Sequence, residues 1–89
     1  FITGDFNADP DDLCITTMTN YSAIKLIDLT AGSGITFHEF GKRLASGGIK
    51  IDYIFAGADT VCRSMTVCRD ERDGVFISDH FPLIAEVEL

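Results

Sequence analysis

The sequence reads as a small α+β domain, mostly strand with one short helix, and two patterns carry that reading. Apolar and polar residues alternate with the two-residue period of a strand over 49–56 and again over 83–89. One helix-start signature, Asp9-Pro10-Asp11-Asp12, precedes a stretch of roughly helical spacing. With 46% hydrophobic and 24% charged residues in a length of 89, the chain is globular, long enough for one domain with a modest core and too short for two.

Taken in order, Phe1-Ile2-Thr3-Gly4 reads as the end of a buried strand. Asp9 fits the N-cap of a helix, Pro10 its first position, and the following acids its first turn. Leu13, Thr17, Tyr21 and Ile24 continue the helical spacing, but Thr16, Thr17 and Thr19 are poor helix formers, so the helix is expected to end near Asn20. Residues 24–29 are apolar and fit either helix or strand. Ala31-Gly32-Ser33-Gly34 is a turn, Ile35-Thr36-Phe37 a short strand, and Ala45-Ser46-Gly47-Gly48 a second break. The clearest strand is 49–56, with Ile49, Ile51, Tyr53 and Phe55 on one face and Lys50, Asp52 and Ile54 on the other. Gly57 ends it, 60–69 is a further strand, 70–74 a charged turn and 83–89 the last strand.

Composition excludes some functions. The net charge is −7, and the seven basic residues are scattered, with Lys42-Arg43 the one adjacent pair. A protein that grips duplex DNA nonspecifically shows a basic stripe, so this chain's own charge does not favour that role. An acidic site can still handle phosphates when a divalent cation sits in it. No apolar run approaches a membrane span, and no basic and apolar leader opens the chain. The start on Phe1, without Met and inside a strand-like run, reads as a piece of a longer protein. Cys14, Cys62 and Cys68 show neither a C-x-x-C pair nor zinc spacing, and reduced thiols in a cytoplasmic protein are the simplest reading.

Three phrases place acids, amides or imidazole among apolar, β-prone neighbours: Gly4-Asp5-Phe6-Asn7, Ile51-Asp52-Tyr53-Ile54 and Ser78-Asp79-His80-Phe81-Pro82. Buried carboxylates and imidazoles are costly unless paired or used, so three such insertions point to one shared site. Asp5 and Asn7 point the same way in an extended segment, where a carboxylate beside an amide suits work on a water and a phosphate. A turn or helix cap explains the same spacing. Asp52 sits mid-strand, where Asp is disfavoured, and needs a partner, either Lys50 or Lys25 structurally or an imidazole functionally. His80 held by Asp52 would be a carboxylate–imidazole couple that fixes a tautomer and favours imidazolium; a solvated loop histidine is the plainer alternative. His38, in a glycine-flanked region, reads as a structural or surface residue.

The order and content of the three phrases resemble the carboxy-terminal half of the endonuclease/exonuclease/phosphatase superfamily, a group that includes deoxyribonucleases, apurinic endonucleases, inositol polyphosphate 5-phosphatases, sphingomyelinases and deadenylases. The resemblance spans nearly all of 1–89. It implies a four-layer α/β sandwich, two sheets face to face with helices outside, of which this chain supplies about half: one mostly antiparallel sheet with a short helix. It implies hydrolysis of a phosphodiester or phosphomonoester by in-line attack of water, with Mg²⁺ or Mn²⁺. Asp5 would then orient or deprotonate the water and help bind the metal, and Asn7 would contact the scissile phosphate. Asp52 would buttress His80, His80 would contact the phosphate and stabilise its developing charge, and Asp79 would serve the metal site or position the catalytic groups. Thr36-Phe37-His38-Glu39-Phe40 resembles the family's loop before the I-D-Y-I strand, which often faces substrate.

The resemblance also implies a metal-binding Glu, an early Asn and a middle His from an amino-terminal half, none of which is among these residues. The chain by itself is therefore expected to be inactive, and its open sheet face to be covered by that half or by a second copy in a homodimer. The substrate, whether nucleic acid, inositol phosphate or another phosphate ester, is left open. A noncatalytic binding or scaffold module that keeps the fold is the alternative. A lipid phosphodiesterase is a third reading, without an evident apolar membrane hairpin to support it.

Overall fold

The computed structural model describes all 89 residues. Strand β1 (Ile2–Asp5) leads through a turn to helix α1 (Leu13–Asn20), and strands β2 (Leu26–Asp28), β3 (Asp52–Gly57), β4 (Val61–Val67), β5 (Glu71–Arg72), β6 (Val75–Phe76) and β7 (Leu83–Glu88) follow. Every pairing is antiparallel, as expected. The strands do not form one sheet, however. They make a three-stranded sheet in the order β1-β3-β2, a β4-β7 pair and a β5-β6 hairpin. β1 and β2 already flank β3 on both edges, so β4 cannot pair with β3, the strand before it, and pairs with β7.

Central strand β3 is the most buried element, and alternation does the work the sequence implied. Tyr53 and Phe55, two residues apart on one face, are 1% and 0% exposed and stack at 5.5 Å. Phe6 meets both edge-on, at 5.7 and 5.4 Å. Ile15 of α1, Ala8, Met18 and Leu26 complete this core. Ile49, expected on the same face, is exposed.

The helix departs from its expected start. Asp9 and Asp12 close a turn around Pro10: Asp12 Oδ2 accepts from Asp9 N–H at 2.8 Å, and Asp9 Oδ1 accepts from Asp11 N–H at 2.9 Å. Both carboxylates are thereby used in the turn, and the helix begins at Leu13 with Asp12 as an N-cap that makes no side-chain cap bond. Its end at Asn20 is where the threonines placed it. Leu13 is exposed, and Ile15 and Met18 face the core instead. Tyr21, Ile24 and Thr17 line, with Ile2, Met18 and Leu26, an apolar groove of about 360 Å³.

The ambiguous 24–29 stretch contains strand β2. The expected strand at 35–37 is only a pair of isolated bridges, Phe37 to Ile49 and Phe37 to His80. This segment is nevertheless tightly held. A Cβ on Gly48 would lie 2.5 Å from the Phe37 carbonyl oxygen, so only glycine admits the approach. The charged 70–74 turn is the β5-β6 hairpin, with Asp73 and Gly74 at positive φ.

The molecule is a slab of 46 × 29 × 16 Å. Its accessible surface is 5817 Å², against about 5,100 Å² for a compact monomer of this mass. Large apolar side chains stand open on it, Leu13, Tyr21, Ile24, Val75, Ile77 and Ile84 among them. All three cysteines are free. No helix is long and apolar enough to cross a membrane.

Candidate active site

Strand pairing builds the site. In the β1–β3 register Asp5 lies directly opposite Asp52. Like charges facing each other across a strand pair repel, so the arrangement calls for a cation. His80 fills that place. Its Nδ1 is 2.7 Å from Asp52 Oδ2, and its Nε2 is 3.8 Å from Asp5 Oδ2. The three residues, scattered over the sequence, thus converge at the end of one sheet.

The His80 segment is positioned by backbone contacts to the 36–39 loop. Phe81 N–H donates to the Thr36 carbonyl at 2.7 Å, and His38 N–H donates to the Asp79 carbonyl at 2.9 Å. Thr36, itself fully buried, accepts at Oγ1 from Ile51 N–H at 3.0 Å and Asp52 N–H at 3.2 Å. One loop therefore ties the histidine segment to the start of β3, and sets the Asp52–His80 distance.

Electrostatics favours a charged imidazole. Burial of the ring works against the cation, but the Asp52 hydrogen bond and the charges of Asp52, Asp79 and Asp5 outweigh it, so the His80 pKa stands above the usual histidine value. With Nδ1–H donating to Asp52, Nε2 is turned to Asp5, and the ring stands beside an open cleft. That open cleft, about 390 Å³, is lined by Gly4, Asp52, Ser78, His80 and Pro82 among others. Gly4, at φ +148, has no atom within 4 Å of where a Cβ would stand, so the space beside Asp5 is free for a ligand rather than filled by neighbouring backbone.

The remaining sequence candidates lie around this cluster. Asn7 adopts a left-handed φ of 49°, and its N–H donates to Asp5 Oδ1 at 2.8 Å. The Asp-x-Asn spacing is thus a turn, one that also orients the Asp5 carboxylate; the Asn7 side chain is exposed. Asp79 Oδ1 is 4.0 Å from His80 Nε2, at the margin of the cluster rather than within it. His38 is fully buried, not on the surface, and lies outside the cluster.

Lys50 is not the partner of the Asp52 carboxylate. It is buried and donates to the Asp52 carbonyl at 3.1 Å and to Thr30 Oγ1 at 3.0 Å, while its ion pair is with Asp28 at 3.6 Å. Burial draws its pKa below the ordinary lysine value, against the opposing charges of Asp28 and Asp52. It also sits over the Tyr53 ring at 3.3 Å. Burial, reinforced by the charges of Asp28, Asp9, Cys14 and Asp12, pushes the Tyr53 phenol up to about 12, and this neutral hydroxyl donates to the Ala8 carbonyl at 2.8 Å. Asp28 escaped the sequence reading. An acid ending an apolar run was its only signal.

Donor atoms of Asp5, Asp52 and His80 all lie within 4.8 Å of one another, close enough for one cation to bridge. Hard divalent cations take oxygen ligands, usually one or two protein carboxylates with several waters. The donor set fits that preference through Asp5 and the second oxygen of Asp52. His80 Nδ1 is already committed to Asp52.

Carboxylates opposed across two strands, with an imidazole between them beside an open cleft, are groups that can transfer protons and stabilise an anion. Comparison with solved structures carries this further. The chain is similar to the endonuclease/exonuclease/phosphatase from Bacteroides vulgatus, with 30% identity and a TM-score of 0.83 over 98% of its length. It spans 35% of that protein. The chain therefore matches part of an endonuclease/exonuclease/phosphatase fold, in agreement with its three motifs. No known family profile matches the chain, and no curated protein does.

Proposed function

We propose that this chain is the carboxy-terminal half of a divalent-metal-dependent phosphoesterase, which hydrolyses a phosphodiester or phosphomonoester by in-line attack of water. The observation that carries the reading is the convergence of Asp5, Asp52 and His80 within one cluster.

In this reading Asp52 holds the His80 ring by its Nδ1–H and stabilises the imidazolium. Nε2–H then faces the cleft and donates to a phosphoryl oxygen as charge develops on it. Asp5, whose Oδ1 is anchored by the Asn7 N–H, keeps Oδ2 free to orient the attacking water and accept its proton. The exposed Asn7 amide reaches the phosphate from the same side. Asp5 and Asp52 would hold Mg²⁺ or Mn²⁺ with waters, with Asp79 at the margin; the ion supplies Lewis-acid stabilisation of the phosphoryl group. Further ligands come from the rest of the full-length protein, so the isolated chain is inactive. The exposed apolar side chains and the groove along α1 are covered in the full-length protein by that remainder, or by a second copy when the chain is alone.

The test is a panel of phosphate diesters and monoesters given to the full-length protein with Mg²⁺ or Mn²⁺, and with a chelator. Metal-dependent release of product, lost in His80→Ala, supports the reading. No hydrolysis of any ester class would favour a noncatalytic binding module.

A further inference from the structure

One buried histidine stands outside the Asp5, Asp52 and His80 cluster. His38 has no exposed surface. Its Nδ1 accepts from Gly41 N–H at 2.9 Å, so Nδ1 carries the lone pair and the ring proton sits on Nε2. That Nε2 is the one buried side-chain polar atom without a partner. Native proteins rarely leave a buried donor unpaired, and an ordered water is the usual partner where no protein group serves. His38 also lines a cavity of about 10 Å³ whose walls include Cys68, Asp70, Ser78 and His80. That size is at the lower limit for one water, roughly 10–15 Å³, and the walls offer the polar partners a water needs.

The same residue grips the chain on both sides of His80. His38 N–H donates to the carbonyl of Asp79 at 2.9 Å. Its ring stacks on Phe81 with centroids 4.0 Å apart and planes at 25°. Phe76 packs against it at 4.6 Å. Rotation or loss of the His38 ring would therefore move the backbone that carries the His80 side chain. Since His80 must stay within hydrogen-bond reach of Asp52 and aim Nε2 at the cleft, small displacements matter.

We propose that His38 is a positioning residue for His80, fixed as the neutral Nε2-protonated tautomer, and that the cavity the two histidines share binds one internal water. The water accepts the His38 Nε2–H and donates to polar walls such as Ser78 or Asp70. The positioning role rests on the phosphoesterase reading. The tautomer and the water do not.

Two measurements test it on the full-length protein. In ¹H–¹⁵N spectra of labelled protein, His38 should show a protonated Nε2, an unprotonated Nδ1 and a cross-relaxation contact from Hε2 to a long-lived water. A ring protonated on Nδ1, or an Hε2 with no water contact, would overturn the proposal, the latter assigning the donor to an aromatic face instead. In kinetics, His38→Phe keeps the ring stack but has no donor. It should lower kcat about 10-fold, as loss of an orienting partner commonly does, with KM within about two-fold. His38→Gln, whose amide can stand in for the Nε2 donor, should recover most of the loss. Equal kcat in His38→Phe and the parent protein would remove the positioning role. If instead His80→Ala leaves hydrolysis untouched while the His38 water is present, the phosphoesterase assignment of His80 fails and the water site stands. If neither variant folds, the tautomer and water contact in the unmodified protein still decide.

Discussion

Thr36 is the side chain whose loss should separate the loop from the site most cleanly. Its Oγ1 is fully buried and accepts from two backbone donors, Ile51 N–H and Asp52 N–H. Thr36→Val replaces that hydroxyl by a methyl of nearly the same volume, so packing is kept and both donors lose their acceptor. A buried donor left unpaired costs about 1–3 kcal/mol. With Ile51 buried and Asp52 only half-buried, the two together should destabilise the protein by about 2–4 kcal/mol. Thr36→Ser keeps the acceptor and loses one methyl, which should cost about 1 kcal/mol. Urea denaturation of the full-length protein measures both, and amide exchange at Ile51 and Asp52 localises the effect. Thr36→Val within 0.5 kcal/mol (about the noise of a surface change) of the parent, or Ser as damaging as Val, would refute the view that this hydroxyl ties the 36–39 loop to β3.

Other expected outcomes follow from the cluster. His80→Ala and Asp5→Asn should each lower turnover of the full-length protein by roughly 10²–10³; near-normal turnover in either would make that residue structural. His80 should titrate above its ordinary 6.5. The stability its cation contributes is complete below 6.5 and fades as pH rises through the higher folded value. Asp52→Asn should move that loss to lower pH, and an NMR titration of His80 unchanged by the substitution would rule out Asp52 as its source. The 89-residue chain expressed alone should associate at micromolar concentration and show no hydrolysis with Mg²⁺. Light scattering that reports a stable 9.7 kDa monomer, or activity from it, would contradict the proposed division of the site.

What was legible in the sequence is what local chemistry dictates. The period-2 pattern of Tyr53 and Phe55 placed the core strand, because alternation assigns faces without knowledge of the partner. Threonines near Asn20 ended the helix where their side-chain entropy said they would. The three motifs were visible as costly polar groups in apolar surroundings, and their order carried the resemblance to the endonuclease/exonuclease/phosphatase family. Local chemistry failed where two local solutions compete. Asp9 could cap a helix or close a turn, and it closes the turn: its Oδ1 accepts from Asp11 N–H while its N–H donates to Asp12 Oδ2.

Tertiary structure alone decided which groups meet. Whether Asp52 pairs with Lys50 or with His80 depends on a strand register and a loop 28 residues away, not on the spacing of either motif. Lys50 went to Asp28 because β2 runs beside β3 and brings that acid alongside. With both edges of β3 occupied, β4 pairs with the distant β7 rather than with the strand before it. Of the two readings left open for His38, structural or surface, burial selects the first, because Phe76 and Phe81, distant in sequence, close over it. Pairings of this kind are set by long-range geometry, and a one-dimensional pattern carries the need for a partner without its identity.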